Sequence, residues 1–316
     1  MTPRAATRDD AAAWVRLMAA VADADTTGEA LTASDYLDMF SVDEADLERN
    51  SRLWSRDGDL LDAFGQVATP TSHAELNRVH LWGMVHPLRR RQGLGRELLE
   101  WQEDRGRALH AERHPGRPGV LEVDSKGGPG HVSLLVTAGY EPLRYWYEMR
   151  RFLRSDIHGD RTLPAGLARR PYDCDFDDAV HMAHNEAFAD HWGFTLRDRD
   201  FWQTWMVGRS LRADLSAVVF DGDDIAAYVL VQHWPEDAAV RGFKDVWISH
   251  IATRPAWRGR GIASALLTGV LIDAAALGFD CVTLSVDTAN PTSALGLYDR
   301  ARFEVACETV SYAKPV

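Results

Sequence analysis

Arg258-Gly259-Arg260-Gly261-Ile262-Ala263 joins a β-type run, residues 246–253, to a segment whose apolar positions recur at helical spacing: Ile262, Leu266, Leu267, Val270, Leu271 and Ala274. Glycines at a strand-to-helix junction let the main chain approach a ligand with no Cβ in the way. The first amides of a helix have no partner inside it, and the helix dipole is positive at that end. A phosphate or pyrophosphate is the matching guest, and Arg258 and Arg260 add positive charge. The stretch is not a P-loop, which closes on Gly-Lys-Ser/Thr, because Ile262 and Ala263 follow Gly261. Nor is it the dinucleotide fingerprint, which needs three glycines and a downstream acid.

The pattern occurs twice. Pro87-Leu88-Arg89-Arg90-Arg91-Gln92-Gly93-Leu94-Gly95 aligns residue for residue with Pro255-Ala256-Trp257-Arg258-Gly259-Arg260-Gly261-Ile262-Ala263 at a constant offset. Both copies follow a strand-like run and precede a leucine-rich helix. Arg-x-x-Gly-x-Gly/Ala after Val/Thr-x-Pro resembles the acyl-coenzyme A loop of the GCN5-related N-acetyltransferase (GNAT) family. Downstream, Asn290-Pro291-Thr292-Ser293-Ala294-Leu295-Gly296-Leu297-Tyr298, followed by Phe303, resembles that family's closing helix and turn. One departure is Arg302, which stands where the family usually has Gly before Phe303. The resemblance covers nearly the whole chain as two copies, the tandem two-domain type.

The resemblance implies an α/β fold with a mixed sheet in each of two tandem acyl-CoA N-acyltransferase domains, and acetyl-CoA as cosubstrate. By the same resemblance, the main-chain amides of Arg258, Gly259, Arg260, Gly261, Ile262 and Ala263 hold the pyrophosphate, with the Arg258 and Arg260 side chains. Ile251, Ala252 and Thr253 pair with the pantetheine and polarise the thioester, and Asn290 anchors the arm. In the first copy, Val85, Arg90, Arg91, Gln92, Gly93, Leu94, Gly95 and Arg96 are the corresponding cofactor residues. Tyr298 is the implied general acid. Counting back from the terminal aromatic, Phe303 matches Tyr140, so Tyr298 matches Leu135, which has no proton to give. The second copy is therefore expected to be catalytic and the first non-catalytic. The base is open: many relatives carry a glutamate on the strand before the loop, and here Asp245, His250 or a water relay are the alternatives.

The first helices of such folds cover the acceptor pocket, which makes Asn185, Glu186, Phe188, His191 and Trp192 the acceptor candidates. An Asn-x-Ala-Phe-Ala-x-His segment like this one occurs in tandem members of the family. His181, His184 and His191 have no neighbouring cysteine or repeated pattern, and no metal site is expected. No Cys or Ser sits in a recognisable nucleophile motif, which favours direct attack by an amine in a ternary complex. The alternative from another class is a non-catalytic acyl-CoA-binding sensor or scaffold.

Composition sets bounds on partners. The 316 residues are enough for two domains, each with its own core. A net charge of −12 argues against nucleic acid, which asks for a basic footprint. A small-molecule amine is the expected partner, and the absence of a run of about 18 apolar residues excludes a membrane-spanning helix. Three scattered cysteines, Cys174, Cys281 and Cys307, point to a reducing cytoplasm rather than a disulfide framework. Periodicity places helices near 10–23, 94–109, 131–138, 175–189 and 200–207, with residues 24–54 a mixed acidic, aromatic segment. Strands are expected at 60–67, 75–85, 120–123, 216–220, 225–232, 244–253, 281–287 and 305–313. The domains read as 1–152, a charged linker 153–166, and 167–316.

Overall fold

The computed structural model describes residues 3–42, 44–57, 60–72, 74–153, 157, 159–289 and 294–316. In chain order its elements are α1 (Ala11–Asp25), α2 (Ala33–Val42), α3 (Glu44–Asn50), β1 (Ser51–Asp57), β2 (Leu60–Ala68), β3 (Asn77–Val85), α4 (Leu94–Arg113), β4 (Gly119–Ser125), α5 (Pro129–Thr137) and β5 (Glu141–Phe152). They continue with β6 (Leu167–Pro171), α6 (Asp177–Ala187), α7 (Arg199–Phe201), β7 (Ala217–Asp221), β8 (Asp224–Gln232), α8 (Asp237–Arg241) and β9 (Asp245–Thr253). The last four are α9 (Ile262–Ala276), β10 (Cys281–Asp287), α10 (Ala294–Arg300) and β11 (Glu304–Pro315). Contacts divide the chain into two compact units, Met1–Tyr145 with Thr309–Val316, and Trp146–Glu308.

In the first unit β1, β2 and β3 pair antiparallel in sequence, β3 pairs β4 in parallel, and residues 310–315 of β11 close against β4. In the second unit β6, β7, β8 and β9 pair antiparallel, β9 pairs β10 in parallel, and residues 146–152 of β5 close against β10. Each parallel pair needs a crossover, which α4 supplies in one unit and α9 in the other. These are the two helices that the Gly/Arg loops begin. The α/β class with mixed sheets is as the sequence implies.

The second unit buries apolar side chains on both faces of its sheet. Ile262, Leu266, Leu267, Val270 and Leu271 of α9 pack with Val229, Val231, Val246, Ile248, Val282 and Leu284. On the other face Val180, Ala183 and Ala187 of α6 join Trp202, Met206, Val218, Tyr228, Leu230 and Ala252. A sheet covered on both sides needs apolar residues at both alternations, which is why β8 is buried from Ile225 to Gln232 without a break. The mixed segment 24–54, given no element above, holds α2, α3 and the start of β1. Two expectations are corrected. The tryptophan-rich helix at 200–207 is the single turn α7 followed by a π-turn, Trp202–Met206. Asp177 organises that turn, its carboxylate accepting from Tyr172 Oη at 2.7 Å and Trp202 Nε1 at 2.6 Å. Finally, α6 spans only Asp177–Ala187 of the expected 175–189.

Candidate functional site

The site grows from an irregularity in β9. Its pairing with β8 slips one residue: Leu230 faces His250 but Val231 faces Ile248, which leaves Ser249 as the extra residue of a bulge. Side chains alternate across a strand, so a bulge exchanges the faces beyond it. Val246 and Ile248 join the core beneath α9, whereas Ala252 joins the core beneath α6. The ring of His250 consequently lies against His184 and Phe188 of the α6 side, with centroids 5.1 and 5.6 Å away. On the other edge of β9, the ladder to β10 runs from Asp245↔Cys281 to Ile248↔Leu284 and ends there. From Ser249 to Thr253 the edge toward β10 is open, and its main-chain groups can receive an extended, amide-bearing arm as a further strand would be received. In the first unit the β3–β4 ladder likewise ends early, at His80↔Glu122, but β2 pairs β3 with no slip.

Thr253 leads into the loop. Gly259 and Gly261 adopt φ of 75° and 80°, and Gly261 caps α9 with no side-chain hydrogen bond to the first amides. With no side chain capping them, the first amides of α9 are open to an anion at the positive end of the helix. The first unit repeats this backbone: Gly93 has φ 89°, and Arg91, in the place of Gly259, is held at φ 63°. An L side chain in that region costs about 1 kcal/mol, so the loop shape persists without its glycine.

Both leading arginines are struts. The Arg258 Nε donates to Thr253 O at 3.1 Å, and its guanidinium grips both carboxylate oxygens of Asp190 and the carbonyl of Ala187. Arg90 does the same with Val85 O at 3.3 Å and Asp25 at 2.6 and 2.7 Å. Anion contact therefore falls to the amides and to Arg260, which is exposed at the start of α9 and has no ion-pair partner among the described residues. Of the other first-unit loop residues, Leu94 is buried, Gln92 bonds to Leu88 O at 3.0 Å, and Gly95 approaches Val85 and Leu134.

Tyr298 projects from α10 into the α9-side core, 6% exposed, its ring 5.8 Å from that of Phe303. Burial pushes its hydroxyl up to about 12. Asn290 lies outside the described residues. Arg302 keeps the expected turn by adopting φ 59°, the conformation that Gly139 supplies at φ 85° in the first unit. Leu135, the counterpart of Tyr298, is a core residue at 1% exposure.

The two base candidates separate. Asp245 begins β9, and eight strand steps at about 3.3 Å put it roughly 26 Å from Thr253. Its carboxylate there accepts from Arg241 at 2.5 Å and from Thr283 Oγ1 at 3.0 Å, an ion pair that fastens the far end of the sheet. His250 lies beside the loop. Its Nδ1 is buried with no hydrogen-bond partner among the described residues. Burial, reinforced by the positive charges of Arg197 and His191, holds its pKa down to about 3. His184, 2% exposed, places Nδ1 2.6 Å from the hydroxyl of Tyr228. That hydroxyl is itself buried and held far above its ordinary pKa, so it stays protonated and shares this hydrogen bond with the imidazole. Burial lowers His184 to about 2.

The acceptor candidates fall into two groups. Phe188 and His191 face each other and the histidine pair. Trp192 lies 6.3 Å from Trp146. Asn185 instead clasps the following loop, its Oδ1 accepting from Arg197 N at 3.0 Å and its Nδ2 donating to Arg197 O at 3.2 Å. Glu186 pairs with Arg254 at 2.6 Å. His181, His184 and His191 do not converge, being bonded to Arg197 O, Tyr228 Oη and Trp192 O respectively. Sequence reasoning missed Tyr228, Phe194 and Trp202, whose only signal is apolar, and left His184 out of the acceptor candidates.

The profile of the acetyltransferase (GNAT) family matches residues 178–303, which lie wholly within the second unit. A mycothiol acetyltransferase of Clavibacter michiganensis subsp. michiganensis is 31% identical over 244 residues, 73% of this chain and 71% of that relative. The chain belongs to the GNAT family. Among solved structures, a GCN5-related N-acetyltransferase from Sphaerobacter thermophilus superposes with a TM-score of 0.75 at 25% identity, over 99% of this chain and 95% of that one. A tandem GNAT protein from the clavulanic acid biosynthesis pathway gives 0.67 at 18% identity, over 99% and 98%. This GNAT protein is accordingly an acyltransferase with a tandem layout, and acetyl transfer is its chemistry. Among the described residues no helix is long and apolar enough to cross a membrane.

Proposed function

We propose that the second unit moves an acetyl group from acetyl-CoA to a primary amine of a small molecule, by direct attack in a ternary complex. One observation carries this reading: at Ser249 the bulge against β8 and the end of the β10 ladder coincide, next to the left-handed loop. The donors present suit the cosubstrate. Amides of residues 258–263 hold the pyrophosphate, the open edge of Ile251, Ala252 and Thr253 pairs with the pantetheine amides, and Asn290 anchors the arm. A β9 amide at the bulge polarises the thioester carbonyl. Acetyl-CoA supplies the activated acyl group and a thiolate leaving group. His250 Nδ1 takes the proton from the amine, and Tyr298 gives one to the departing sulfur. These two side chains belong to opposite faces of the sheet, so the amine arrives from the α6 side as the thiol departs toward α10. The raised pKa of Tyr298 keeps it protonated, as an acid must be.

For the first unit we propose cofactor binding without chemistry, through Val85, Arg90, Arg91, Gln92, Gly93, Leu94, Gly95 and Arg96. The repeated loop backbone supports it; the missing bulge and Leu135 leave nothing to activate a thioester. A sensor role for the whole chain has no such support, because the second unit keeps Tyr298 and the bulge. The name of the relatives suggests a narrower reading, mycothiol synthase proper; Val246-Trp247-Ile248-Ser249-His250 lacks the glutamate that many family members carry on this strand, which weighs against that narrower reading. Its cysteines are free, which suits a reducing cytoplasm. The test is mass spectrometry of acetyl-CoA incubations with an amine panel. N-acetylated amine is expected, with no acetylated protein when amine is withheld; acetyl-protein formed without amine would contradict direct attack.

A further inference from the structure

The wall beside His250 is made of rings. The His184 ring lies 4.7 Å from Phe188, 5.3 Å from Trp202 and 6.1 Å from Phe194. Phe188 and Phe194 run nearly parallel, at 25° and 6.5 Å. His184 and Trp202 are buried behind, whereas Phe188, Phe194 and His250 are half-buried and form the front. The carboxylates at this end of α6 are committed, Glu186 to Arg254 and Asp190 to Arg258. Tyr228 holds the His184 ring through Nδ1, and burial keeps both imidazoles neutral.

Such a surface offers π-faces and, among the described residues, one unpartnered ring nitrogen, the buried Nδ1 of His250. A buried polar atom without a partner is costly, and a free-base amine, which carries both N–H groups and a lone pair, would satisfy it. With Glu186 and Asp190 both ion-paired, neither is free to hold a second ammonium, so a polyamine would lose hydration without recompense. An amino sugar would bring several hydroxyls against ring faces that cannot pair with them. An aromatic body on the amine would lie against Phe188 and Phe194 at the offset spacing that rings prefer.

Resting on the acetyl-transfer reading above, we infer that the acceptor is a ring-bearing primary amine, its ring against Phe188 and Phe194 and its nitrogen at His250 Nδ1. The Arg197 guanidinium, which lowers His250, also disfavours an ammonium there and favours the free base.

The test is coenzyme A release by the full chain at saturating acetyl-CoA, with 2-phenylethylamine, tryptamine, glucosamine and spermidine. The ring-bearing pair should exceed the others by about tenfold or more in kcat/KM, the discrimination an apolar pocket provides. Phe194→Ala should raise the 2-phenylethylamine KM about tenfold with kcat nearly unchanged, and Phe194→Tyr should restore it. Calorimetric acetyl-CoA binding shows that each variant is folded. Glucosamine or spermidine turned over as well as the aromatic amines, or an unmoved KM in Phe194→Ala, overturns the inference and leaves acetyl transfer standing. Acetyl-CoA bound with no amine acetylated overturns both.

Discussion

Acid should unfold this protein through His184 in a way that one substitution exposes. In the unfolded chain a histidine titrates near 6.5, whereas His184 in its apolar setting is lowered to about 2. Below pH 6.5 the unfolded state therefore binds a proton that the folded state refuses, and stability falls with pH until the folded value is reached. Above 6.5 both states are neutral and the contribution is whole. Each pH unit costs about 1.4 kcal/mol per such site, so about 2–3 kcal/mol is lost between pH 6.5 and 4.5 through His184 alone. His184→Gln keeps a hydrogen-bond partner for the Tyr228 hydroxyl but has nothing to titrate. At pH 7.5 the variant should be less stable than wild type by about 1–3 kcal/mol, for the lost ring packing. As pH falls to 4.5 that gap should close or reverse. The assay is urea unfolding followed by tryptophan fluorescence at pH 4.5, 5.5, 6.5 and 7.5. A gap that stays constant with pH would refute the buried neutral imidazole.

Three further outcomes follow from the same geometry. The pH profile of kcat/KM should show no break from His250 between about pH 4 and 8, since its folded value is about 3; the rate should climb with the amine's own deprotonation and fall only as Tyr298 ionises toward 12. A conventional histidine limb near 6.5 would contradict the placement of His250. Gly261→Ala meets open space but must hold φ 80°, so it should cost about 1 kcal/mol in stability and raise the acetyl-CoA KM while leaving the amine KM alone. Calorimetry with coenzyme A alone reads this directly. Arg258→Met and Asp190→Asn should each weaken acetyl-CoA binding severalfold, and the double variant should add little, because the two side chains form one strut. Additive losses would mean that Arg258 touches the cofactor instead.

Much of this was legible because local chemistry specifies it. The Gly/Arg loops announce themselves twice, β10 was read to the residue, and the first copy shows Leu135 where the second has Tyr298. The bulge at Ser249 has no such signature: a slipped register depends on what pairs with the strand, and Val246-Trp247-Ile248-Ser249-His250 reads as plain alternation. Hidden for the same reason was the fact that His250 and Ile248 face opposite cores. Asp245 looked equivalent to His250 because both sit in one strand, and only the direction of β9 sends one to the loop and the other to Arg241. Arg91 and Arg302 show the converse, where tertiary packing imposes a left-handed backbone that the residue type would not suggest.

Tyr298→Phe tests the central claim most directly, because it removes one oxygen from the second unit and leaves both loops and the first unit untouched. With saturating acetyl-CoA and an accepted amine, kcat for thiol release should fall about 10²-fold or more at unchanged acetyl-CoA KM. A kcat within about twofold of wild type would place the proton donor, and with it the catalytic centre, elsewhere in the chain.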